Sequence, residues 1–245
     1  MTPSSPLVTH DSGVARDSYR SHEWIGGLGG LTFVASVLTQ NAIRAGFPPN
    51  GAAAPKVIEY YGAHWASTLA LAVLYPVGAL GLVAFLSVTL SRLVGMGQRV
   101  SSIAGAFGAA GIVATYTMLV ATDLGLAGYI RRGAADPAAV GAMWTLHTAV
   151  FGVLLTSIGL AVGGLGVACA SAGQLPGWWK RLSLAGGLLL LSAAATAPAI
   201  IDGGPTIWIG LAGFAVWLGF VVSESVVLLR GKRELTASRV GIPSR

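Results

Sequence analysis

Long apolar stretches alternate along this chain with short polar ones. Six stretches stand out, at residues 24–43, 64–90, 103–129, 143–170, 182–201 and 206–229. Each meets or approaches the ~20 apolar residues that a helix needs to cross a hydrocarbon layer about 30 Å thick. The runs are continuous, as in LAGGLLLLSAAATAPAII. Barrel strands would instead alternate apolar and polar residues over segments of about ten. Inside lipid a helix satisfies its own backbone groups, so helix is the expected state. The pattern therefore predicts an all-α fold, a polytopic transmembrane helical bundle of about six spans.

Composition narrows the class. The chain is 54% hydrophobic and 10% charged, with a mean hydropathy of +0.72, whereas soluble domains carry about 25% charged residues. Three segments are expected: a polar N-terminal cytoplasmic arm (1–23), a six-helix transmembrane domain (24–230) and a basic cytoplasmic tail (231–245). The long polar lead, without a small-x-small site before the first apolar run, argues against a cleavable signal peptide.

The placement of Lys and Arg predicts orientation. Eleven of the fifteen fall on the side of the termini: Arg16 and Arg20, Arg92 and Arg99, Lys180 and Arg181, and five in the tail. Four fall on the other side: Arg44, Lys56, Arg131 and Arg132. Basic residues favour the cytoplasmic side, which predicts a multi-pass protein of the bacterial cytoplasmic (inner) membrane with both termini cytoplasmic. The net charge of +6 then reflects topology and contact with the lipid bilayer, and no nucleic-acid partner is expected. A homo-oligomer or a larger membrane complex is compatible with the pattern.

Small residues predict close helix contacts at Gly26 and Gly30, Gly105, Gly108 and Gly111, Gly159 and Gly163, and Gly186 and Gly187, because backbone approach is a main source of association energy in lipid. Tyr60, Tyr61, Trp65, Tyr129, Trp144 and Trp208 are expected at the outer interface, and Trp24, Trp178 and Trp179 at the inner one. Cys169, the one cysteine, reads as a small apolar filler. Pro76 and Pro198 are expected to bend their helices.

Polar residues within this apolar frame are the candidates for chemistry. Topology brings Glu59, His64, Asp123, His147 and Asp202 to one outward-facing layer. Two histidines on separate helices are what bis-imidazole ligation of haem b requires. With carboxylates nearby they also suit a divalent metal. A proton-coupled site or a binding pocket is the third option, since ionisable residues within spans face the bundle interior. Each position has a plainer reading as well. Asp136 before Pro137 looks like an N-cap, and Asp202 before Gly203-Gly204-Pro205 looks like a turn residue. Glu224 stands apart, inside the last apolar run toward the cytoplasm, with Arg92, Lys180 or Arg181 as its expected partner. No paired-cysteine, Walker or nucleophile-elbow motif occurs to select an enzymatic chemistry.

A basic residue closing the second run (TLSRL), a histidine opening the fourth (LHTAVFG), and a Leu-Pro-x-Trp turn before a Gly-containing helix (QLPGWWKRLSLAGGLLLL) together resemble a group of bacterial, actinobacterial-type six-helix membrane proteins classed as a domain of unknown function. The resemblance covers roughly residues 60–200 and implies topology only. The first functional expectation is a non-enzymatic accessory, assembly or small-molecule-binding membrane protein with an outward-facing polar site. The alternative is a haem- or metal-binding redox protein using His64 and His147. A transporter protomer is the third reading, although no internal repeat or polar path across the bilayer supports it.

Overall fold

The computed structural model describes residues 22–133 and 135–239, with side chains to residue 230. Of the expected arm, all but His22 and Glu23 lies outside the described residues, with Arg16 and Arg20. The side chains expected to make the tail basic also lie outside them. Among the described residues there are eight helices and no strand: α1 (Glu23–Arg44), α2 (Ala54–Ala63), α3 (Trp65–Gly95), α4 (Arg99–Arg131), α5 (Pro137–Ser171), α6 (Trp178–Ala195), α7 (Ala197–Ile201) and α8 (Ile207–Arg239).

Four of them are long and apolar enough to cross a membrane: α3, α4, α5, and α8 over Ile207–Arg230. The shorter α1 and α6, of 22 and 18 residues, complete a ring with these four. Contacts follow chain order from α1 through α3, α4, α5 and α6 to α8, and α8 closes the ring against α1. The outside of the ring is apolar, with Leu80 at 71%, Phe107 at 73% and Val100 at 85% exposure. In water such a surface is an association patch; against acyl chains it is in its own medium, as a membrane protein requires.

The interior is held by aromatic and glycine contacts. Phe33 of α1 and Trp217 of α8 meet edge to face at 6.2 Å, and Phe220 stacks on Trp217 at 5.8 Å while touching Phe85 of α3. Gly29 and Gly81 let α1 and α3 touch backbone to backbone, since a Cβ on Gly29 would lie 2.7 Å from the Gly81 carbonyl oxygen. Gly159 and Gly187 do the same for α5 and α6, and Gly186 and Gly213 for α6 and α8. A Cβ on Gly163 would meet nothing within 4 Å, but its backbone lies against Gly187, 3.6 Å from where a Cβ there would stand, while Gly164 meets Gly105 of α4.

Three local features refine the predicted elements. Asp136 caps α5, its Oδ1 accepting from Ala138 N at 3.0 Å, so the helix begins six residues before the predicted run of 143–170. Pro76 is carried inside an unbroken α3, whereas the fifth run breaks at Thr196 into α6 and α7 ahead of Pro198. A proline ring excludes the carbonyl one turn earlier. The remaining feature, α2, lies in the first connection. It opens on Pro55 and buries Val57 and Tyr61 one turn apart, leaving Lys56 and Glu59 exposed.

Candidate functional site

The α2 end of the bundle holds a closed network of charged and hydroxyl groups. Asp123 of α4 is fully buried, and its carboxylate meets side chains from three other helices. Arg44 Nη2, at the last residue of α1, donates to Oδ2 at 2.7 Å. Tyr61 Oη of α2 donates to Oδ1 at 2.6 Å, and His147 Nε2 of α5 lies 3.2 Å from the same oxygen. A carboxylate away from water needs such partners, because leaving its lone pairs unmet costs several kcal/mol.

Local sequence explains how each partner arrives. α1 ends at Arg44 because Phe47-Pro48-Pro49 follows, and the guanidinium settles over the Phe47 ring (5.3 Å) and the Tyr116 ring (5.7 Å). A cation is favoured there by the negative end of the helix dipole. His147 is positioned by Trp144, one turn earlier, whose ring is nearly parallel to it at 4.7 Å. Tyr61 meets the other partner of that pair, packing edge-on to Trp144 at 6.3 Å. Burial and the adjoining Asp123 carboxylate raise the Tyr61 hydroxyl far above the range of a free phenol, so it remains a proton-bearing donor.

The polar groups continue toward the middle of the bundle. Tyr116 Oη donates to Gln40 Oε1 at 2.6 Å, Gln40 Nε2 to Ser36 Oγ at 2.9 Å, and Ser36 Oγ to the Leu74 carbonyl at 2.8 Å. Ser36, Gln40 and Arg44 recur every four residues, one stripe of α1 facing Tyr116 and Asp123 of α4. That spacing is legible in the sequence. Hydropathy alone hides it, because Arg44 lies past the end of the first apolar run and Ser36 and Gln40 are diluted within it. Tyr61 and Trp144 were likewise expected at the membrane interface, yet their side chains are buried in this network, Tyr61 completely.

Of the five residues expected in one outward layer, the structure joins Asp123 and His147. His64 is exposed at the hinge between α2 and α3, where its ring stacks on Tyr60 at 4.3 Å and its Nδ1 lies 2.9 Å from the Tyr60 carbonyl oxygen. It shares a shallow hollow of about 260 Å³ with Glu59, Lys56 and Phe47. Asp202, in the turn after α7, is exposed beside a second hollow of about 400 Å³ that Trp144, Thr145 and Thr148 line from α5. His64 and His147 therefore have separate partners. His147 Nε2 is taken up by Asp123 and by Arg44 Nη1 at 3.4 Å, and it can donate to the first or accept from the second but not both. Its Nδ1 is buried without a hydrogen-bond partner, as is Trp144 Nε1. Among the described residues, no group of three or more His, Cys, Asp or Glu is placed to hold a metal ion.

At the opposite end Glu224 of α8 is fully buried beside the Cys169 thiol, and of the expected partners it is Arg92 that reaches it, Nη1 to Oε1 at 3.9 Å. Arg92 Nε is also 3.7 Å from Glu23. Neither distance is a hydrogen bond, and neither Glu224 oxygen receives an N–H or O–H donor.

Fold and site together define an all-helical bundle with membrane-length apolar helices and a charged network enclosed at one end. Comparison with protein-family models, with curated proteins and with solved structures finds no match.

Proposed function

We propose that this chain is a six-span protein of the bacterial cytoplasmic membrane, with α1 and α6 completing the spans, both termini cytoplasmic and the α2 end outward. It acts as a non-enzymatic accessory, assembly or small-molecule-binding protein. The carrying observation is the engagement of Arg44, Tyr61 and His147 with one carboxylate, Asp123, beside the hollow bounded by Trp144, Thr148 and Asp202. A general base or nucleophile must be free to meet a substrate; here each charged group is engaged by another, which suits a rigid wall for a binding hollow. The exposed Asp202 carboxylate and the Thr145 hydroxyl on the facing wall offer a small polar molecule one charge and one hydroxyl group. The resemblance of the TLSRL, LHTAVFG and QLPGWWKRL segments to bacterial six-helix proteins supports the same topology.

Purification in mild detergent with an absorption spectrum and metal analysis tests this reading. The expected product is colourless and free of stoichiometric metal. A Soret band, or a bound metal, lost in His147→Ala and in His64→Ala would replace it with the redox alternative. For orientation, Ala135→Cys in a Cys169→Ala background should react with a membrane-impermeant thiol reagent from outside intact cells. Reaction only from the cytoplasmic side would reverse the topology.

A further inference from the structure

Near the start of α1, a groove of about 480 Å³ runs along the seam between α1 and α3. Its α3 wall is a single stripe, Ala84, Ser87, Val88, Ser91 and Arg92, spaced by three and four residues. Over roughly 12 Å of helix rise this wall runs from Ala84 through Ser87, whose hydroxyl is tied to the Val83 carbonyl, and Val88 to Ser91 and the Arg92 guanidinium. Ile25 and Glu23 face it from α1, one apolar and one acidic, and His22 borders the mouth. Such a gradient, apolar toward the bundle's middle and charged at its end, matches an amphiphile standing in one leaflet.

The charges narrow which amphiphile. Arg92 lies 3.7 Å from the Glu23 carboxylate and 3.9 Å from that of Glu224, so one cation stands between two carboxylates without a hydrogen bond to either. Arg92 Nη1 is buried and has no acceptor. A headgroup with only negative charge would add to the local excess of carboxylate. One that carries a phosphate and a primary ammonium adds no net charge, gives the guanidinium a strong acceptor and gives Glu23 a donor. A quaternary ammonium supplies the charge but no N–H.

We propose that the groove binds one phosphatidylethanolamine-type lipid, its phosphate on Arg92 with Ser91, its ammonium on Glu23, and an acyl chain along Ile25, Ala84 and Val88. The site rests on the reading that these helices cross a membrane, and it is separate from the hollow at the α2 end.

Native mass spectrometry of the delipidated full chain in detergent, at pH 8 with equimolar phosphatidylethanolamine, phosphatidylglycerol and phosphatidylcholine, tests it. One phosphatidylethanolamine should be retained about tenfold over either competitor, the ratio expected from one additional charge-assisted hydrogen bond. Glu23→Gln should abolish that preference, and Ala84→Phe, which fills the apolar half, should lower retention of all three lipids. Equal retention of the three would overturn the proposal, as would a preference that survives Glu23→Gln. Displacement of the lipid by an equal concentration of free O-phosphoethanolamine would also overturn it, since the chain would then contribute nothing. Loss of the preference in these variants with an unchanged spectrum and metal content leaves the reading of the other end untouched.

Discussion

Among the described residues two carboxylates are fully buried, one near each end of the bundle, and their surroundings are opposite. Asp123 accepts from Arg44 and Tyr61 and adjoins His147, all within 3.2 Å. Glu224 has one guanidinium at 3.9 Å, beyond hydrogen-bond reach, and only a thiol, a weak donor, beside it. The first is an element of architecture, tying α1, α2, α4 and α5 through one side chain. The second stabilises little, because a buried charge gains most from short, directed hydrogen bonds and Glu224 has none. The same residue chemistry therefore implies different consequences at the two ends.

The largest effect expected from breaking this comparison is at Asp123. Asp123→Asn keeps the shape and replaces one acceptor oxygen with an NH₂ group, which must face either Arg44 or the Tyr61 and His147 side. Either way a buried donor meets another donor, and Arg44 loses its counter-charge. The loss of stability should be about 3 kcal/mol, read from reversible unfolding in detergent. A loss below about 1 kcal/mol would show that the network is not what holds this end together.

Tyr61→Phe should come next. It removes one donor to a charged acceptor and leaves the ring's packing against Trp144 intact, so about 1.5 kcal/mol is expected. α2 should also loosen, and amide exchange over Ala54–Ala63 reports that directly. Unchanged exchange in Tyr61→Phe would mean that burial of Val57 and the ring alone seat α2.

Much of this was legible in the chain. The six apolar runs match α1, α3, α4, α5, the α6–α7 pair and α8, because continuous hydrophobicity depends on the solvent and little on neighbours. Asp136 was readable as a cap for a similar reason, its effect being local to two residues. The network was less legible. Asp123 and His147 were recognisable as ionisable groups in apolar surroundings, but Arg44 and Tyr61 were explained by rules for connections and interfaces, which count residues without knowing which way they face. The short helix α2 turns both inward, and it escaped notice because a ten-residue amphipathic pattern is weak beside runs of twenty. His64 shows the converse: its chemistry resembled that of His147, yet the hinge at the α2–α3 junction places it on the surface.

The smallest expected effect is the most informative about the other end. Glu224→Gln preserves volume and removes the charge. The one donor beside Glu224 is the weak Cys169 S–H, which Gln can still meet, and Arg92 keeps Glu23 at 3.7 Å. What disappears is the attraction to Arg92 across 3.9 Å, together with the cost of holding a carboxylate out of water, two contributions of opposite sign. Stability should therefore change by less than about 1 kcal/mol, in either direction. Side by side, the isosteric changes at Asp123 and Glu224 should differ by at least about 2 kcal/mol. Equal losses would mean that the Arg92 side closes on Glu224 in solution as tightly as Arg44 closes on Asp123, and the two ends would then be one kind of site rather than two.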